Sequence, residues 1–222
     1  MPEKVLFGWS GGKDSTLALY EIQRAANYEI AALLTTVTKD YDRISMHGVR
    51  RTLLEQQAAS LGYPLEQVFI SKQSSNEEYE SKMREALTKY QNLGISSVVF
   101  GDLFLEEIRK YREDHLAQIG MRGIFPLWGK NTTELAHTFI DLGFKAIIVC
   151  VDSKALAGKF VGRSFDKKFL LELPSSVDPC GENGEFHSFV FDGPIFRKPI
   201  LFEKGEIVLR DNRFYYCDLI PA

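Results

Sequence analysis

Ser10-Gly11-Gly12-Lys13-Asp14-Ser15 decides how the rest of this chain is read. The apolar run Val5-Leu6-Phe7 precedes it, and Thr16-Leu17-Ala18-Leu19-Tyr20 follows with a helical pattern. Strand, glycine turn and helix start in that order make a phosphate cradle. The first-turn amides of a helix have no partner within the helix, and the macrodipole favours an anion there. Gly11 and Gly12 carry no Cβ, so backbone N–H groups can approach phosphate oxygens closely. Ser10 and Ser15 add hydroxyls, and Lys13 adds a point charge. Spacing excludes two other phosphate motifs. A Walker A loop needs four residues between its first glycine and Gly-Lys, then Ser or Thr; here Gly8 is too close and Asp14 follows Lys13. The dinucleotide fingerprint fails because no glycine stands at the third position after Gly12.

What remains, S-G-G-x-D-S after a first strand, resembles the pyrophosphate loop of the PP-loop ATPases. The resemblance implies ATP, cleaved between its α- and β-phosphates.

Outward from the loop, apolar runs alternate with helical patterns. The spacing predicts a helix from Ser15 to Ala26, a buried strand from Ile30 to Val37 and a helix ending near Leu61. A strand at Val68–Ile70, a helix from Glu77 to Asn92, a strand at Val98–Asp102 and a charged helix from Phe104 to Ile119 come next. Residues 124–130 read as an irregular aromatic connection. A helix over Thr133–Leu142 then leads to a fifth strand, Ala146–Val151. This alternation predicts an α/β fold with an open, mostly parallel five-stranded sheet and helices on both faces.

After Val151 the pattern changes. Lys154–Phe160 and Asp166–Leu173 read as short helices, and Phe186–Phe191, Pro199–Phe202, Ile207–Leu209 and Phe214–Leu219 as antiparallel strands. Lys204-Gly205 reads as a turn. The expected division is a nucleotide-binding domain over 1–125, its last strand open to contribution from 145–151, and a smaller α+β substrate-binding domain over 126–222.

Composition narrows the classes. The 222 residues are 45% hydrophobic and 26% charged, as in an ordinary globular protein. A net charge of −3 gives no electrostatic reason to expect nucleic acid. No apolar run approaches the ~20 residues that span a membrane. Met1-Pro2-Glu3-Lys4 leaves no room for a signal peptide before the first strand. Three widely spaced cysteines, Cys150, Cys180 and Cys217, suit a reducing cytoplasm and contain no C-x-x-C pair. That absence weakens a tRNA-thiolating reading.

In an open α/β sheet, ligands bind beyond the carboxyl ends of the strands where strand order reverses. Asp102 lies at such an end, with helix capping as its plainer reading. Thr35 and Val37 close the second strand, where backbone groups can read an adenine edge. His47 is as able to donate to a phosphate as to pack at a helix entrance. Arg50 and Arg51 default to solvent, with a phosphate contact by one of them as the alternative; Arg109, Lys110 and Arg112 also read as solvated, His115 and His137 as structural, and Trp9 as packing or as a wall of the nucleotide pocket. A second concentrated signal is Asp178-Pro179-Cys180-Gly181-Glu182-Asn183-Gly184-Glu185-Phe186-His187-Ser188. Strand alternation puts Glu185 and His187 on one face, where they can share a proton or bind ammonium; a polar hairpin is the alternative.

With both motifs in hand, the chain resembles the diphthine–ammonia ligase (diphthamide synthase) family of PP-loop ATPases over nearly its whole length. The resemblance rests on Ser10–Ser15, His47-Gly48-Val49, Phe100-Gly101-Asp102, Gly181–Ser188 and Asp192-Gly193-Pro194. The family's usual G-E-G-G-E-F-H-T departs here at Asn183 and Ser188. It implies a nucleotide-binding domain of the adenine nucleotide α-hydrolase (HUP, Rossmann-like) type. It also implies ATP-dependent amidation: ATP with Mg²⁺ adenylates a carboxylate, pyrophosphate leaves, and ammonia displaces AMP. The implied substrate is diphthine, a modified histidine on translation elongation factor 2, or another carboxylate. On this reading Ser10, Gly11, Gly12, Lys13, Asp14, Ser15, Thr35, Val37 and His47 bind the nucleotide, and no residue is assigned as a metal ligand. Gly181, Glu182, Gly184, Glu185, His187 and Ser188 bind substrate, and Lys13, Asp102, Glu185 and His187 act in chemistry. A homodimer is among the assemblies open to it. The competing readings are a non-catalytic ATP or AMP sensor and a ligase acting on a different small molecule or an RNA.

Overall fold

Val5, Leu6 and Phe7 have no solvent exposure in the computed structural model, which describes residues 2–222. They lie in β1 (Glu3–Gly8), the middle strand of a parallel sheet covered on both faces. β2 (Tyr28–Thr38) pairs with one edge of β1, and β4 (Leu65–Ile70) lies beyond it. β5 (Ser97–Val99) pairs with the other edge of β1, and β6 (Arg122–Ile124) lies beyond that. The five parallel strands therefore run β4-β2-β1-β5-β6. The two-residue β3 (Arg43–Ile44) adds an antiparallel extension to the end of β2.

The helices divide by face. α1 (Lys13–Ala25) and α2 (Arg51–Leu61) place Leu17, Leu19, Ile22, Leu53 and Leu54 against Val5, Phe7 and Leu33. α3 (Asn76–Gln91) and α4 (Glu106–Ala117) cover the opposite face, where Ala86, Leu87 and Leu116 meet Leu6, Ala32, Leu34 and Val98. The chain steps outward from β1 to β4, then α3 carries it back to β5. The reversal of strand order thus falls between β1 and β5, placing the expected ligand crevice beyond their carboxyl ends.

The predicted five-stranded parallel sheet is present, but its fifth strand is not the predicted one. β6 supplies it just ahead of the segment read as irregular, meeting it only at Ile124, and three residues are too few to carry a hydrophobic signature. The run at 145–151 instead forms β7 (Lys145–Asp152), in a second, antiparallel sheet ordered β8-β7-β10-β9. An unbroken apolar run reports burial on both faces, which a covered antiparallel strand shares, and not strand direction. β7 follows α5 (Thr132–Asp141). A single 3₁₀ turn at Gly158–Phe160 and α6 (Lys167–Glu172) occupy the two segments read as short helices.

β8 (Phe186–Asp192) follows as expected. β10 (Phe214–Pro221) also follows as expected, but β9 (Phe202–Arg210) replaces the two short strands expected before it, because Lys204-Gly205 lies inside β9 rather than between two strands. Gly205 sits where the β9–β10 register shifts, and a bulge has the same sequence signature as a turn. The hairpin turn is Asp211-Asn212, both residues with positive φ, which Asp and Asn tolerate. The two sheets share one apolar core, with α1 lying against β8. Among the described residues no helix is long and apolar enough to cross a membrane.

Candidate active site

β1 delivers the loop to the carboxyl edge of the sheet, and Gly12 caps α1 with extended backbone. Ser10 Oγ accepts from the Gly12 amide at 3.2 Å and lies 3.0 Å from Ser15 Oγ, which also donates to the Gly12 carbonyl. The next amide, of Lys13, donates to Ser188 Oγ at 3.1 Å. A side chain from β8, 175 residues away, therefore meets the positive end of α1. Gly11 has φ +75°, and a Cβ there would stand 2.6 Å from Gln57 Oε1. No other residue type fits that position without displacing Gln57.

Lys13 is 4% exposed. Its ammonium donates to both Asp14 carboxylate oxygens, at 2.8 and 3.0 Å, and to the Cys180 carbonyl. Burial opposes the charge most, but the acidic neighbours, Asp14 foremost, together outweigh it and the pKa is raised, so Lys13 stays protonated. The side chain links the loop to the Cys180-Gly181 turn.

The opposite wall is built by that turn and by β8. Asp178 folds the chain back, its carboxylate accepting from the amides of Cys180 and Glu182 at 3.2 and 2.9 Å. Extended backbone begins only at Phe186, so the alternation expected to align Glu185 with His187 does not reach Glu185. Glu185 Oε1 accepts from the Asp178 amide at 3.1 Å and from Asn183 Nδ2 at 3.0 Å, and the residue does not line the cavity. Glu182 does line it. Its Oε1 accepts from the Leu103 amide at 2.7 Å, and burial, with Asp14 and Asp102 nearby, pushes its pKa up to about 7.

His47 and His187 face one another with ring centroids 4.6 Å apart, beside Gly12. Burial holds both down from an ordinary 6.5, His47 to about 3 and His187 to about 4, so both are neutral at pH 7.

After β5, Gly101 packs on the start of α1: a Cβ there would stand 2.9 Å from the Asp14 carbonyl carbon and the Ser15 nitrogen. Asp102 reaches the cavity but is paired with Arg112 at 2.7 Å, and the Arg112 guanidinium lies 4.2 Å over the Phe100 ring. Thr35 and Thr36 line the cavity, whereas Val37 is wholly buried in the core and does not. The cavity has a volume of about 620 Å³. One end holds the loop and the Gly181–Ser188 stretch. The other is an arm between α3 and α4 lined by Tyr79, Met83, Leu87, Ile108 and Tyr111.

Comparison with known proteins then decides the family. The model for the diphthamide synthase N-terminal domain matches residues 3–123, and that for its C-terminal domain matches residues 131–218. The chain belongs to the diphthamide synthase family. Among its relatives, the diphthine–ammonia ligase of Schizosaccharomyces pombe is 27% identical over 226 residues, covering 92% of this chain and 37% of that protein. The diphthine–ammonia ligase of Bos taurus is 24% identical over 221 residues, covering 90% of this chain and 82% of that protein. The chain thus spans little more than a third of the yeast relative's length. A solved structure, the predicted subunit of tRNA methyltransferase from Methanocaldococcus jannaschii, aligns with a TM-score of 0.41 and 17% identity over 64% of this chain and 77% of that one.

For this diphthamide synthase family member, two site residues lie outside the sequence reading. Arg112 belongs to a helix face read as solvated, yet it turns inward to Asp102; nothing in helical periodicity distinguishes it from Arg109. Gln57 is different. It is fully buried on α2 amid Leu53, Leu54, Ala58 and Leu61, and an amide on an apolar stripe is a visible signal. Arg50 and Arg51 stay out of the site, pairing with Asp218 and Asp42 at 2.6 Å. Trp9 packs in the core and also lines the cavity, and its indole N–H donates to Gln57. Among the described residues no three His, Cys, Asp or Glu side chains are grouped to hold a metal.

Proposed function

We propose that the chain is an AMP-forming ligase that uses ATP to join ammonia to a carboxylate. The observation that carries this reading is the convergence of Ser10–Ser15 and Gly181–Ser188 on one cavity, with the Lys13 amide donating to Ser188 Oγ at 3.1 Å. A carboxylate oxygen attacks the α-phosphorus and pyrophosphate leaves. Ammonia then attacks the acyl carbon and AMP leaves. The loop amides, with Ser10 and Ser15, hold the departing phosphates, so positioning and fixed dipoles do most of the work. Thr35 and Thr36 face the adenine edge. His47 and His187, both neutral, donate toward phosphate oxygens, and protonated Lys13 supplies positive potential from beneath the loop. Glu182, in place of Glu185, attracts ammonium and accepts its proton. The arm between α3 and α4, with Arg112 at its mouth, receives the acyl substrate. Mg²⁺, when bound, offsets phosphate charge.

Diphthine on elongation factor 2 is the first candidate substrate, because the relatives are named for it, and the proposed location is the cytoplasm. The test is incubation with labelled ATP, ammonium, and either diphthine-bearing elongation factor 2 or free carboxylates. AMP and pyrophosphate formed in equal amounts with the amide support the reading. ATP bound without AMP from any carboxylate would make the chain a nucleotide sensor instead.

A further inference from the structure

Gln57 makes three hydrogen bonds from a fully buried position. Its Oε1 accepts from Trp9 Nε1 at 3.0 Å, and its Nε2 donates to the carbonyls of Gly11 and Val190 at 3.0 and 2.5 Å. The Gly11 carbonyl also accepts from the Val190 amide at 2.9 Å. One side chain on α2 therefore holds the loop, the residue that enters it, and the strand that faces it. Peptide planarity makes the consequence directional. In a trans peptide the C=O of Gly11 and the N–H of Gly12 point in opposite senses. Holding that carbonyl against Gln57 and Val190 turns the Gly12 N–H toward Ser10 Oγ at the mouth of the cradle. The same amide fixes β8 through Val190, two residues beyond Ser188, the partner of the next N–H.

We infer that Gln57 is a positioning residue for the nucleotide, aiming the Gly12 amide and locking β8 to the loop without touching ATP itself. This rests on the proposal that Ser10–Ser15 binds phosphate. A methionine of similar length keeps the volume and loses all three bonds. A glutamate keeps an acceptor for Trp9, but its ionised carboxylate faces two carbonyl oxygens. Once protonated it can donate to one of them, and burial raises its pKa into an accessible range.

The experiment measures ATP affinity by titration calorimetry, and thermal unfolding, for the full chain as wild type, Gln57→Met, Gln57→Glu and Gln56→Glu. Gln57→Met is expected to weaken ATP binding about tenfold, the scale of one buried hydrogen bond lost, while remaining folded. Gln57→Glu is expected to bind more weakly still at pH 8 and to regain affinity toward pH 5.5, a recovery absent from wild type. Gln56→Glu, one position off the buried stripe, should bind ATP as wild type does. Wild-type affinity in Gln57→Met, or no recovery in Gln57→Glu at low pH, overturns the inference. Unfolding of both Gln57 variants assigns the residue to the core alone and overturns it equally. A wild-type chain that fails to bind ATP would instead overturn the proposed function.

Discussion

Two segments form the site, and they differ in what holds them. Ser10–Ser15 has a local frame, a strand end, a positive-φ glycine and the first turn of α1, which Gln57 and β8 then hold from outside. Gly181–Ser188 takes its shape from partners elsewhere: Leu103 anchors Glu182, Lys13 draws in the Cys180 carbonyl, and β7 pairs with β8. The first segment could be read from spacing. The second could be recognised but not oriented, because a turn of two positive-φ glycines, Gly181 and Gly184, breaks the alternation before Glu185. A local motif shows its frame in the sequence even where distant partners hold it, whereas a borrowed one takes its orientation from whatever it touches.

The largest effect should come from breaking the local segment. Gly12→Asp puts a carboxylate in the cradle, with its Cβ 3.1 Å from His47 Cε1 and the Ser188 carbonyl oxygen. ATP affinity should fall by two orders of magnitude or more, roughly 3 kcal/mol, with circular dichroism unchanged; normal binding would refute the nucleotide assignment. In the borrowed segment the two acids should separate. Glu182→Gln is expected to reduce ligase turnover about tenfold to a hundredfold with ATP affinity nearly kept. Glu185→Gln should leave turnover nearly intact and reduce stability by about 1–2 kcal/mol, because it disturbs the bonds from Asp178 and Asn183. The reverse pattern in steady-state rates and urea denaturation would return the chemistry to Glu185.

Acid sharpens the comparison further. Both imidazoles are held below their ordinary 6.5, so below that pH the unfolded chain takes up protons that the folded chain refuses. Their contribution is thus fully present above about 6.5 and is lost as pH falls toward 4 and 3. His187→Asn should flatten the fall in melting temperature between pH 6.5 and 4.5; an unchanged slope would contradict the burial argument. The smallest effect is expected from Ser188→Ala, which removes the acceptor for the Lys13 amide. ATP affinity should weaken only a few-fold, about 1 kcal/mol, because solvent can replace the hydroxyl there.

Much of the fold was legible because long apolar runs and a glycine-marked loop are local signals. Val5–Phe7 and Ile30–Val37 are buried on both faces of the sheet and read as such. Ala146–Val151 read equally well as a strand and was placed in the wrong sheet, since burial says nothing about direction or partner. Arg122–Ile124 was too short to register. At the site the loop and the His187-Ser188 pair were in view, and Thr35 reached the cavity while Val37 did not. The inward turn of Arg112, and the placing of Glu182 rather than Glu185 on the cavity wall, depend on contacts between segments far apart in the chain. No spacing rule carries that information.

The hydrogen bond from the Lys13 amide to Ser188 has a consequence for synthesis. When only the first 130 residues have been synthesised, the chain already holds every strand of the parallel sheet and the Ser10–Ser15 loop, but not β8. The wall that faces the loop emerges much later, so the growing chain can complete this site only after β8 has packed against the loop. On the proposed reading ATP would bind best once the two sheets are docked, and by mass action it would favour the docked arrangement over any state in which the sheets stand apart.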